Sequence, residues 1–143
     1  MKFSLLLLSI LSGMFLHAQN LSVIGNTNGV PASMTFSSLQ SVFKGETITW
    51  GINGPKIVLA LMKSTTQPGG QTCSKVYQMS CDDVTKFWLG KAIESNSGAP
   101  KFFNSVSDLQ AFVAGKPGAI GIIDLSPAVA GVGVIRIDGK DSF

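Results

Sequence analysis

The chain has 143 residues, 45% of them hydrophobic and 13% charged, with a formal net charge of +3. That balance is enough for one packed domain and too mild to demand a nucleic-acid partner. The single histidine, His17, falls in an N-terminal apolar stretch, so a chain that has lost this stretch has no His for a catalytic triad or a zinc site.

Residues 1–18 read as a secretory signal peptide. Lys2 supplies the positive start, the apolar run from Leu5 supplies the core, and Leu16-His17-Ala18 precedes the cut. Ser9, Ser12 and Gly13 interrupt the run, which is short for a membrane anchor; no stable membrane insertion is expected. The rest, 19–143, is the size of a single domain, placed by export in the periplasm or outside the cell. Export and an even cysteine count favour a disulfide between Cys73 and Cys81 over two buried free thiols. Beyond these two, no other Cys and, once residues 1–18 are removed, no His is at hand for a metal site, and Cys-x-x-Cys is absent.

In chain order, residues 21–24 read as a first strand, followed by a loop over 26–32 rich in Asn, Gly and Pro. Thr35 is a good N-cap for a helix whose Phe36, Leu39, Val42 and Phe43 share one face, with Gly45 as its stop. Residues 47–50 are β-prone, and 56–62 form a near-continuous apolar strand. A polar loop over 63–70 leads to a short helix expected at 72–78. Ser80 caps the next helix, with Asp82 and Asp83 in its first turn and Val84, Phe87, Trp88 and Ile93 as its apolar side.

After a loop at 96–100, residues 107–114 form another helix, stopped by Gly115 and the Pro117-Gly118 turn. The apolar run that follows predicts a central strand covered on both faces. Gly121 within it marks a bulge or a close approach by another backbone or a ligand. Residues 132–137 alternate as a last strand ending at Asp138-Gly139. Strands alternating with helices predict an α/β domain with a mixed sheet flanked by helices.

The order of motifs resembles a known family. The pieces are Thr35-Phe36-Ser37-Ser38-Leu39-Gln40-Ser41-Val42-Phe43-Lys44-Gly45 with Trp50 after it, Phe87-Trp88, Ala99-Pro100, Val106-Ser107 with Phe112-Val113, and Pro117-Gly118-Ala119-Ile120-Gly121. Together they are similar to the periplasmic phosphate-type substrate-binding proteins of ABC transporters. The resemblance implies a type 2 periplasmic-binding fold, shortened here to about one lobe. It implies a small oxyanion such as phosphate as ligand, uptake by an ABC transporter, no cofactor and no enzymatic activity. The family's Ser-Gly-Thr anion loop is matched by Ser64-Thr65-Thr66, and Ile122 stands where the family carries Tyr. The strand with Gly121 would return through the ligand-bearing lobe, its glycine leaving space beside the cleft.

The ligand candidates are Ser64, Thr65, Thr66, Gly70, Gln71 and Thr72, whose hydroxyls and backbone N–H groups precede a helix and suit an oxyanion, with Gly69 and Gly70 allowing close approach. Asn26 and Thr27 would add donors after the first strand. The plainer reading of both segments is a solvated loop and an ordinary turn. Trp50 and Trp88 read as core rather than ligand stackers. No Gly-x-Ser-x-Gly or P-loop motif occurs, and carboxylates are scattered, so an enzyme is hard to build. Two functions follow: a solute-binding protein that takes a small oxyanion alone or as a homodimer, or an envelope accessory module that keeps the fold without the ligand and binds a protein partner.

Overall fold

The computed structural model describes residues 20–94, 98–125 and 128–143. The signal-peptide expectation for residues 1–18 lies outside them, as does part of the loop expected at 96–100. The elements are β1 (Ser22–Asn26), β2 (Ser33–Met34), α1 (Phe36–Phe43), β3 (Val58–Met62), α2 (Gln67–Thr72) running into a π-helical turn (Cys73–Tyr77), α3 (Cys81–Glu94), β4 (Lys101–Phe103), α4 (Val106–Gly115), β5 (Ala119–Ile123) and β6 (Val132–Ile137).

The six strands form one mixed sheet in the order β2-β6-β1-β5-β3-β4. β3 is parallel to both β4 and β5, and β2 is parallel to β6, whereas β1 runs antiparallel to β5 and β6. β4 and β5 flank β3 on opposite sides. Right-handed crossovers in opposite directions must then pass over opposite faces of the sheet. Accordingly α2 and α3, which link β3 to β4, help to bury Leu59, Leu61, Ile120 and Ile122 on one face. α4, which links β4 to β5, buries Ala60, Met62, Ala119 and Ile123 on the other through Leu109 and Val113. α1 joins the first face with Leu39, Val42 and Phe43.

The caps follow local chemistry. The Thr35 hydroxyl accepts from Ser38 N at 3.1 Å, the Ser80 hydroxyl from Asp83 N at 3.1 Å, and the Ser105 hydroxyl from Asp108 N at 3.1 Å. All five residues of β5 are buried, as its apolar run predicts. Gly121 does admit a close approach, but of α4 and not of a ligand. A Cβ there would lie 2.8 Å from Leu109 Cδ2 and 3.1 Å from Ala60 O. The expected space beside a cleft is thus filled by core. Gly121→Ala is expected to destabilise the fold by about 1–3 kcal/mol through overpacking, read from the midpoint of a urea unfolding curve.

Four local expectations change. The helix expected at 72–78 begins at Gln67 and turns π-helical at Cys73. Its Pro68 sits in the first turn, where a missing N–H costs nothing. Gln78 ends it in the left-handed region at φ 55°. β2 and β4 are strands of two and three residues at the sheet edges, too short to give a periodic signal. Residues 47–50 contribute one bridge, between Thr49 and Lys56. Finally, Ile93 is 88% exposed, while Val84 and Trp88 are buried.

Candidate functional site

The strands β3, β4 and β5 all end at one edge of the sheet, where an open α/β sheet offers its binding crevice. The turn after β3 stands there. Lys63 N donates to Phe103 O at 2.9 Å, which extends the β3–β4 ladder to the edge. Thr66 then closes the turn. Its hydroxyl donates to Lys63 O at 2.6 Å and accepts from Gly69 N at 3.2 Å, while its carbonyl accepts from Gly70 N at 3.0 Å. Thr66 is therefore the N-cap of α2.

Gly69 is needed by the chain itself. A Cβ there would overlap the Lys63 carbonyl oxygen, so the helix can fold back over the turn only with glycine at this position. Gly70, with only Ser64 O at 3.7 Å from a built Cβ, is roomier. Gly70, Gln71 and Thr72 lie within α2, and the Thr72 hydroxyl donates to Pro68 O at 2.7 Å. Ser64 and Thr65 are exposed, so of the expected segment they are the hydroxyls presented to solvent, beside the exposed Lys63.

Asn26 and Thr27 are not brought to this edge. β1 is antiparallel, with Ser22 opposite Ile123 and Gly25 opposite Ile120, so its end lies where β3 and β5 begin. A five-residue strand separates the two segments by about 15 Å. Asn26 is buried; its amide donates to Val113 O at 2.8 Å and Ala114 O at 3.1 Å, and its Oδ1 accepts from Asn28 N at 2.8 Å. It pins the end of α4 to β1. Thr27 donates to Gly131 O through both its backbone N–H and its hydroxyl, at 3.2 and 3.4 Å.

Beside the Lys63–Thr66 turn a groove of ≈ 350 Å³ opens between α2, α3 and the β4 edge. Its walls include Leu61, Tyr77, Val84 and Phe102 and the cysteines 73 and 81. Those cysteines form a disulfide with their Cα atoms 5.3 Å apart. Phe102 is in register with Leu61 on the same face of the sheet. Sequence reading passed over Phe102 because β4 is so short, and over Tyr77 because one aromatic in a short expected helix has no period.

Behind the groove Tyr77 is fully buried. Its phenol donates to Phe43 O at 2.7 Å and accepts from Trp88 Nε1 at 3.2 Å. Burial pushes the phenol well above the ordinary tyrosine range, and the Trp88 hydrogen bond opposes that only in part. Trp50 donates to Gly118 O at 2.9 Å. Both tryptophans are engaged by protein, as their core reading expects. Among the described residues no group of three or more His, Cys, Asp or Glu is placed to hold a metal, and no helix is long and apolar enough to cross a membrane.

The fold recurs in solved structures of phosphate receptors. An ABC-type phosphate transport receptor from Vibrio cholerae matches with a TM-score of 0.64 at 19% identity, over 87% of this chain and 49% of that one. The chain folds like about one lobe of such a receptor. A putative phosphate ABC transporter substrate-binding protein from Clostridium perfringens, solved with bound phosphate, gives 0.65 at 14% identity over 85% and 46%. PstS from Borrelia burgdorferi gives 0.64 at 17% over 85% and 48%. The chain thus spans about half the length of the receptors it matches. No protein-family model matches the sequence, and no curated protein matches it by sequence.

Proposed function

We propose that this chain is an exported solute-binding protein that holds a small oxyanion, phosphate first, at the Lys63–Thr66 turn, in a system linked to ABC-type uptake. The observation that carries the reading is the position of this turn. It stands at the carboxyl ends of parallel strands, in a fold shared with phosphate transport receptors. Ser64 and Thr65 would donate their hydroxyls, Lys63 would supply positive charge, and α2 would add its dipole. Export would follow cleavage after residue 18. Binding rather than catalysis is the activity proposed.

Calorimetric titration with inorganic phosphate is expected to give saturable heat. Ser64→Ala and Thr65→Ala should each weaken binding roughly fivefold, the worth of one hydrogen bond. No heat up to millimolar phosphate would remove the reading. A second reading is favoured by the apolar walls of the neighbouring groove and by the internal use of the Thr66 hydroxyl and the Gly69 N–H. In it the lobe has kept the fold, lost the anion and acts as an envelope accessory module. It predicts no phosphate heat and a protein partner recovered by cross-linking in the envelope.

A further inference from the structure

The groove is a poor match to a bare inorganic anion. Phosphate has five heavy atoms, and it would leave most of a ≈ 350 Å³ groove as water held against apolar walls. That volume lies in the range of sites for small organic ligands, roughly 300–1,000 Å³. Its apolar lining comes from four separate elements, Leu61 of β3, Phe102 of β4, Val84 of α3 and Tyr77 of the π-helical turn, of which Phe102 alone is widely exposed and the other three are buried beneath the groove floor. Phe102 is 45% exposed although it stands on the helix-covered face of the sheet, so an occupant would gain by covering it. Charge is confined to one end. Among the lining residues Lys63 carries the only charged side chain, and Ser64 and Thr65 adjoin it. Asp82 and Asp83, at the start of α3, are exposed and do not line the groove.

From this polarity we infer that the occupant is a small amphiphilic anion. Its oxyanion head meets Lys63, Ser64 and Thr65, and its apolar body lies along the groove against Leu61, Val84 and Phe102. The inference rests on the oxyanion reading of the same turn and names the ligand class for it.

The test is a calorimetric series on the purified protein with inorganic phosphate, ethyl phosphate, hexyl phosphate and 1-hexanol. Burying even half of the four added methylenes should make hexyl phosphate at least roughly tenfold tighter than ethyl phosphate. Phe102→Ala removes a half-exposed ring and should flatten this chain-length dependence. Thr85→Trp, at an exposed position on α3 lining the groove, should fill it and abolish the gain by a separate route. Hexyl phosphate binding no tighter than inorganic phosphate would overturn the inference and leave the oxyanion reading standing. Hexanol binding as tightly as hexyl phosphate would overturn the anionic head. Absence of binding by all four would overturn the inference and the oxyanion reading together.

Discussion

Reduction of the Cys73–Cys81 disulfide is expected to lower the melting temperature by roughly 10 °C. The bridge joins the start of the π-helical turn to the first residue of α3, eight positions apart. Closing so short a loop in the unfolded chain is worth about 2.5 kcal/mol on the chain-entropy model, and in a domain of this size about 1 kcal/mol shifts melting by roughly 4 °C. The bridge also holds one wall of the groove, with Cys73 buried against the first core. Thermal unfolding with and without reductant, and of the Cys73→Ala/Cys81→Ala double variant, reads the effect. Equal melting in all three, or two free thiols in protein isolated without reductant, would contradict it.

Tyr77→Phe is expected to cost about 2–3 kcal/mol although it changes one atom. Phe43 O and the Trp88 indole N–H both lie in the core and both lose their partner, and an unpaired buried group costs about 1–3 kcal/mol. The phenol ties α1, the π-helical turn and α3 together, so the loss falls on the packing of all three against the sheet. The same group sets an alkaline limit. Its ionisation is pushed up in the folded state, so below the ordinary tyrosine value near pH 10 the phenol is neutral in both states and stability is independent of it. Above pH 10 the unfolded chain loses the proton first, and stability falls as pH rises further. Denaturant unfolding between pH 8 and 11.5 should show a decline above pH 10 that is shallower in Tyr77→Phe. Identical slopes would place the alkaline loss elsewhere.

Much of the scaffold is legible in the chain because it rests on local chemistry. Thr35 and Ser80 announce their helices by capping, the run at 119–123 announces a buried strand, and Ile135 and Ile137 alternate against Val134 and Arg136 as a half-buried strand should. What is not legible is set by pairing across the sheet. The antiparallel direction of β1 leaves no mark in its own residues, yet it decides that Asn26 and Thr27 lie at the edge away from Ser64 and Thr65. β4 has three residues and no period, so Phe102 could not be joined to Val84, 18 positions earlier, until α3 and the sheet are packed. Gly121 signals close approach correctly, but only the position of Leu109 shows that the approaching group is a helix of the same chain. Gly69 likewise looks like a ligand-facing glycine and serves the turn's own carbonyl.

The location of the oxyanion site is tested most directly by titrating inorganic phosphate into isotopically labelled protein and following the backbone amides by NMR. The account predicts saturable shifts centred on Lys63, Ser64 and Thr65 at the carboxyl edge of β3. Amides near Asn26 and Thr27, at the opposite edge, should stay still. Shifts centred on residues 26–28, or no saturable shift up to millimolar phosphate, would contradict it.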